Sequence, residues 1–423
     1  MDTLRPLDPQ LPEDPEEILR HLLDPRLRGD DHYPLLHQLR SAAPIFKSEN
    51  DAFQRAWVIT RFVDDDTVVR AKTLSSDNRV LEIFRSGDEG AFFGVMKSLM
   101  KFLDPPDHAR VRGLVSKAFT PRSVEALRPR IHAIVDERLR ETFERGRMEL
   151  VSEFAFPLPV IVICELLGVP VEDVPLFLEW SANFARRGDV GALTPEREKA
   201  GDEAAVGLSD YFRRLIAKRR RSPRDDLISA LLCVEDESGG LSEVELIGAM
   251  IILLQAGHET TVNLIGKSVL NLTRQPDELA RFRADPGLDI SACEEFLRFD
   301  TSVQITPKVA TVDLPYHDRV IRAGETVATL RGAVNRDPAQ YPEPDRLDLD
   351  RANLRHHTFG VGAYHCIGAS LARAEIQIAM RGLIEGLPDL RVETARPRYK
   401  ENLYLHGLES LEIAWEPTLQ TRG

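Results

Sequence analysis

Phe359-Gly360-Val361-Gly362-Ala363-Tyr364-His365-Cys366-Ile367-Gly368, running directly into Ala369-Ser370-Leu371-Ala372-Arg373-Ala374-Glu375-Ile376-Gln377-Ile378-Ala379-Met380, decides the fold. The first half carries the glycines of a tight, unusual loop. Gly360 and Gly362 admit backbone angles closed to other residues. The second half has the apolar spacing of a helix face, through Leu371, Ile376, Ile378 and Met380. Cys366 stands at the junction. Unpaired N–H groups and the positive end of the helix dipole favour thiolate there, the form of cysteine that binds metal. A lowered Cys366 pKa is therefore expected. Gly368 removes a side chain where a flat ligand could lie against the first helical turn. A cysteine before a helix, taken alone, is more often a small buried hydrophobe. The glycine spacing around this one argues otherwise.

Working outward, the chain has 423 residues, 43% of them hydrophobic, ample for a large core. Neither a Gly/Ser linker nor a repeat divides it, so one domain over 1–423 is expected. Residues 1–15, rich in Pro, Asp and Glu, read as a flexible arm without the basic and apolar parts of a signal peptide. The most apolar stretch, 247–254, is far shorter than the ~20 residues that span a bilayer. No membrane anchor is expected. Cys164, Cys233, Cys293 and Cys366 lie far apart, which fits a reducing cytoplasm rather than a disulfide framework. A net charge of −13 argues against nucleic acid as a partner. A monomer is expected.

The fold class reads as mainly α with small β elements. A short helix is predicted at 15–23, then a strand pair at 44–47 and 56–60. Helical spacing follows at 110–119, 124–145, 158–167, 174–184, 196–219 and 225–233, with Pro and Gly at the breaks. A long helix opens at Ser242, which forms a capping box with Glu245, and stops before Pro276. It is roughly 50 Å long at 1.5 Å per residue. Its first half is apolar nearly all round and so is expected to be buried. Helix at 291–298, strands at 308–312, 319–321 and 326–330, an irregular Pro/Asp-rich segment at 335–351 and a closing hairpin at 404–408 and 411–415 complete the reading.

The long helix contains Ala256-Gly257-His258-Glu259-Thr260-Thr261. Gly in a buried helix costs ~1 kcal/mol against Ala. A Thr hydroxyl can bond back to the carbonyl at i−4, so Thr260 should reach Ala256 and distort the helix where Gly257 leaves room. A local packing kink would look the same. Glu295 and Arg298 form an i,i+3 pair, worth ~0.2–0.5 kcal/mol if it lies on the surface. His108 and Arg112 share a helix face, which without context is simply a charged face.

Phe-Gly-x-Gly-x-x-x-Cys-x-Gly ahead of an amphipathic helix resembles the haem-binding loop of the cytochrome P450 family. The order of elements is similar from near residue 30 to the end of the chain. The resemblance implies the P450-type fold, with its long central helix over haem b. It implies Cys366 as the thiolate ligand of the iron, in a loop shaped by Phe359, Gly360 and Gly368. Ala256 and Gly257 would flank the cofactor on its O2 side, and Glu259 and Thr260 would be the acid–alcohol pair that delivers protons. His108, Arg112, Lys308 and His356 would contact the haem propionates. The family usually has His or Arg two residues before the cysteine; here Tyr364 would offer a hydroxyl instead. Glu295 and Arg298 would form a buried pair with Arg346 as third partner and Arg351 in reserve. Phe92, Phe93, Met96, Leu253, Val303, Ile305, Tyr404 and Leu405 would line the space for a lipophilic substrate.

The activity implied is that of a monooxygenase. It would insert one oxygen atom of O2 by C–H hydroxylation or epoxidation. NAD(P)H-derived electrons would arrive through a separate ferredoxin or flavodoxin-type carrier, docking where Arg110, Lys117 and Arg373 gather. Two readings from other classes stand beside it: a zinc site of His356, His357, His365 and Cys366, and a haem protein without turnover.

Overall fold

The computed structural model describes residues 11–28, 31–77, 90–187, 194–236, 239–352, 354–401 and 404–417. Most of the expected flexible arm, 1–10, lies outside the described residues. Its end is ordered: the Asp14 side chain accepts the Glu17 N–H at 2.9 Å and caps the helix Pro15–Leu23.

The helix Glu243–Thr273 is the axis of the molecule. Ser242 and Glu245 form the capping box that the sequence predicts. Leu246 through Leu254 are buried on every face. The helices Pro157–Leu167, Pro195–Arg221 and Ala369–Gly386 pack against it, and Arg128–Phe143 covers the last of these. One large apolar core fills the spaces between them.

A predicted helix at 124–145 is two helices, Pro121–Glu125 and Arg128–Phe143. Pro129 explains the break: a proline belongs in the first turn, where no N–H is needed.

The small β elements gather at the other end. Five strands lie in the order Ile45–Lys47, Trp57–Ile59, Thr326–Leu330, Ile305–Ala310 and Leu74–Ser75. Ile45 faces Ile59, Trp57 runs parallel beside Val327, and Leu330 faces Ile305. The first helices cover this sheet through a second cluster that includes Ile18, Leu19, Leu36, Ile305 and Leu330.

The expected closing hairpin does not form. Glu412–Ala414 pairs with Arg391–Val392 and Arg147–Glu149. The Leu411 N–H goes to Glu149 Oε1 at 2.6 Å and its carbonyl accepts the Leu150 N–H, which commits that strand elsewhere. The preceding segment makes single bridges, Tyr399 to Leu408 and Val303 to Leu405. Among the described residues no helix is long and apolar enough to cross a membrane.

Candidate active site

The loop at 359–368 folds onto itself. Cys366 donates its N–H to Phe359 O at 2.8 Å, and His365 donates to Gly362 O at 3.1 Å. Gly360 and Gly362 adopt φ of 67° and 72°, the left-handed angles that make so tight a return possible. Cys366 arrives two residues before Gly368, the N-cap of Ala369–Gly386. Its surface is exposed. The surrounding protein nevertheless desolvates its thiol and pushes the pKa up. The Gly368 backbone N–H, Arg112 and Arg373 pull down and are outweighed, so the expected lowering is corrected.

A second open surface interrupts the buried long helix. After nine buried residues, Ala256 is exposed and Gly257, Glu259 and Thr260 are partly so. Thr260 Oγ1 donates to Ala256 O at 2.8 Å, as predicted, and Thr261 Oγ1 to Gly257 O at 3.1 Å. A Cβ built on Gly257 would meet nothing within 4 Å, and one on Gly368 would meet only Cys366 Sγ, at 3.9 Å. The long helix packs against Ala369–Gly386, the helix that Cys366 introduces, where the buried Glu375 carboxyl has no hydrogen-bond partner among the described residues. Glu259 is held by Lys400, whose Nζ donates to Oε1 at 2.8 Å.

The cationic residues converge on Tyr364. His108 stacks on its ring at 4.2 Å, and Lys308 Nζ lies 4.3 Å from the ring centroid. Arg112 Nη2 donates to His365 O at 2.5 Å, on the loop beside Cys366. Burial and then Arg112 lower the His108 pKa to about 4, so it is neutral at pH 7 and can only share a hydrogen bond. Burial also lowers Lys308, opposed by Asp104.

Three expectations need correction. The Tyr364 hydroxyl is not available to a propionate: it lies 2.7 Å from Asp104 Oδ1 and 2.9 Å from Leu103 O. His356 turns to Glu294, Nε2 to Oε2 at 3.2 Å, a charge contact without hydrogen-bond geometry. Against the upward push of burial, Arg373 and His356 hold that carboxyl down at about 2. Arg346 is not the third partner of Glu295 and Arg298. Its side chain is exposed and faces Glu343, and only its carbonyl takes part. Arg351 fills the place: Nε donates to Glu295 Oε1 at 3.2 Å. Arg298 and Glu295 are fully buried and doubly bonded at 2.7 Å. Arg298 also holds the carbonyls of Asn335 and Pro344, which pins the irregular segment.

The apolar candidates divide. Phe92, Phe93, Met96 and Leu253 share the main core, with the two Phe rings edge to face at 5.3 Å. Val303 and Leu405 bridge each other. Ile305 and Tyr404 are corrected: both pack into the cluster under the first helices. Of the expected docking cations, Arg110 is paired with Glu245 and Arg373 with Glu294. The zinc reading loses its ligands. His357 Nδ1 lies 2.6 Å from Asp65 Oδ2 and His356 faces Glu294. Among the described residues no three His, Cys, Asp or Glu side chains are grouped to hold a metal.

Sequence reasoning missed Lys400 and Asp104 as partners of Glu259 and Tyr364. No periodicity marks either contact, since each spans more than a hundred residues of chain. Arg112, Lys308 and neutral His108 beside an exposed thiol, with open glycines near it, suit a flat ligand that carries carboxylates and a metal.

A sequence profile described as Cytochrome P450 matches residues 291–390. The chain is 41% identical over 367 residues to Cytochrome P450 107B1 of Saccharopolyspora erythraea, covering 85% of this chain and 89% of that one. It is 39% identical to the Vitamin D(3) 25-hydroxylase of Pseudonocardia autotrophica, over 85% and 88% of the two. Among solved structures, P450BioI in complex with hexadec-9Z-enoic acid ligated acyl carrier protein superposes with a TM-score of 0.86 at 35% identity. That match covers 95% of this chain and all of the other. With a fold, a cysteine loop and relatives that agree over most of its length, this chain belongs to the cytochrome P450 family of haem-dependent monooxygenases.

Proposed function

We propose that this enzyme inserts one oxygen atom of O2 into a C–H bond or double bond of a lipophilic small molecule, and that Cys366 is the residue that would hold the iron of haem b. NAD(P)H-derived electrons would come through a separate ferredoxin or flavodoxin-type carrier. The observation that carries the reading is the pairing of an exposed Cys366 with an opened helical turn at Ala256–Thr260. When bound, the haem supplies oxygen activation and transfer.

The chain's own residues do the rest. Phe359 O and the two left-handed glycines fix the cysteine backbone. Arg112 and Lys308 offset the negative charge of two carboxylates, and neutral His108 contributes only a hydrogen bond. The glycines at 257 and 368 keep side chains out of the ligand's space. Thr260 Oγ1 is oriented by its bond to Ala256 O, on the partly open face of the turn. Glu259, partly exposed beside Lys400, takes up a proton from solvent and passes it to this hydroxyl, which hands a proton inward, as a positioned acid–base group does in general acid catalysis. Phe92, Phe93, Met96 and Leu253 favour an apolar substrate by excluding water. The relatives named for a vitamin D and a fatty acyl group suggest two probes.

The purified haem-loaded enzyme is given NADPH, a ferredoxin, its reductase and oxygen-18 gas, with vitamin D3 or hexadec-9Z-enoic acid as probe. One labelled oxygen atom in the product is expected. Oxidised product carrying no label, its oxygen then drawn from water, would overturn the reading.

A further inference from the structure

Lys400 belongs to neither the long helix nor the cysteine loop, yet it reaches the acid of the proton-delivery pair. Its Nζ donates to Glu259 Oε1 at 2.8 Å and to Asn263 Oδ1 at 3.1 Å, one helical turn apart on the same face. The Lys and Glu side chains are 30% and 14% exposed, so the pair is partly shielded from water. The backbone carrying Lys400 is fixed. Its N–H donates to Gly407 O at 2.8 Å, Arg28 Nη2 donates to its carbonyl at 3.2 Å, and its neighbour Tyr399 bridges Leu408.

Gly407 presses against the same helix. A Cβ there would lie 1.9 Å from Asn263 Oδ1, so a side chain would force either Asn263 or the segment to shift and disturb the site that Lys400 shares with Asn263. The segment also touches the strand beyond Arg298. His406 N–H donates to Ser302 O at 2.8 Å, and Ser302 Oγ donates to Thr260 O at 2.7 Å. The same short stretch of chain thus holds Glu259 directly, through its carboxylate, and reaches Thr260 through Ser302, which binds its carbonyl.

We propose that Lys400 is a positioning residue for proton delivery, holding Glu259 by one carboxylate oxygen so that the other is presented to Thr260. The inference rests on the reading of Glu259 and Thr260 as the proton-delivery pair. Lysine suits the task. It is a point charge on a flexible stem, so it can follow the carboxylate as it turns, where an arginine fork would clamp both oxygens. Leu405 lies in the same segment and bridges Val303, so a substrate packed against these two residues bears on the hold over Glu259.

The test uses the haem-loaded full chain as Lys400→Gln, Lys400→Arg, Glu259→Gln and the double variant Lys400→Gln/Glu259→Gln. Two quantities are read: product and peroxide per NADPH with whichever of the two probes is turned over, and the thermal midpoint. Loss of a well-placed acid costs ~10²-fold in rate, and mispositioning it should cost about tenfold. Lys400→Gln is expected to slow product formation about that much with little change in KM, and to divert NADPH to peroxide. Lys400→Arg should keep the thermal midpoint near wild type but recover little of the rate, since its fork takes both oxygens. The double variant should be no slower than Glu259→Gln alone, and Lys400→Gln should lower the thermal midpoint only where Glu259 is present. If Glu259→Gln uncouples turnover but Lys400→Gln does not, the role of Lys400 falls and the proton-delivery reading stands. If Glu259→Gln leaves coupling unchanged, the reading itself falls, and the proposal with it, even where the thermal midpoints show the ion pair. Equal losses from Lys400→Gln in both backgrounds would make Lys400 a general scaffold residue.

Discussion

Replacing Arg351 by alanine should destabilise the protein far more than replacing Arg346, although the two lie five residues apart in the same irregular segment. Arg351 Nε donates to Glu295 Oε1 at 3.2 Å, its Nη1 to Pro342 O at 2.6 Å, and its Nη2 to Arg346 O at 2.8 Å. Its side chain is 8% exposed, and Glu295 is fully buried. Arg298 and the Asp348 N–H still hold Glu295 in the variant, so the carboxylate is not stranded. The loss is then one buried charge-assisted hydrogen bond, ~1.5–3 kcal/mol, and the partly solvated bonds to the carbonyls, together about 2–4 kcal/mol. Arg298→Ala, by contrast, leaves a buried carboxylate without its main cation and should cost ~3–5 kcal/mol or more. The Arg346 side chain is 56% exposed and 3.5 Å from Glu343, a surface pair worth ~0–1 kcal/mol. Thermal midpoints of the three haem-loaded variants, taken at one scan rate, should fall in the order Arg346→Ala least, Arg351→Ala, Arg298→Ala most. An Arg346→Ala loss equal to that of Arg351→Ala would refute the reasoning, because it would mean that the exposed side chain anchors the segment.

Three further outcomes are expected. Glu375 is buried, and burial lifts its pKa from the usual 4.5 to about 8. The folded state therefore keeps a proton that the unfolded chain releases, and wild-type stability should fall as pH rises from about 4.5 to about 8. In Glu375→Gln that fall should vanish, a difference of up to about 3.5 kcal/mol between pH 5 and pH 8, read from thermal midpoints; parallel midpoints would contradict it. Thr260→Ala should still bind the probes and consume NADPH, but release more peroxide per product; unchanged coupling would reduce Thr260 to a packing residue or give its task to Thr261. Arg112→Ala should lose haem to a scavenger protein faster than Tyr364→Phe, since the Tyr364 hydroxyl already serves Asp104; the reverse order would show that the tyrosine holds the cofactor.

Much of the architecture was legible because its signals are local. The Ser242 capping box, the all-round apolar turn of the long helix and the back-bond of Thr260 each depend on residues within four positions of one another. The loop glycines were legible for the same reason, since positive φ is a property of single residues. What failed depends on distant chain. Cys366 was expected to be acidified by a helix terminus, but its surroundings, drawn from several elements, desolvate it more than the terminus helps. Arg346 and Arg351 are nearly equivalent in sequence, and only the tertiary path of the segment turns one inward. The strand at 412–414 has ordinary β spacing, and nothing near it says that its partners are residues 147–149. Ile305 and Tyr404 are apolar enough for a substrate wall, yet the first helices needed the same surface to cover.

The central claim is that Cys366 alone supplies the thiolate that holds the haem iron. Cys164 and Cys293 are buried thiols whose pKa burial pushes up, the first to about 12, and Cys233 lies at the end of a short helix. The most direct measurement is the absorption spectrum of the reduced protein with carbon monoxide, for wild type and for each Cys→Ala variant. A thiolate-type spectrum is expected from wild type, Cys164→Ala, Cys233→Ala and Cys293→Ala, and its loss from Cys366→Ala. A thiolate-type spectrum from Cys366→Ala would contradict the account.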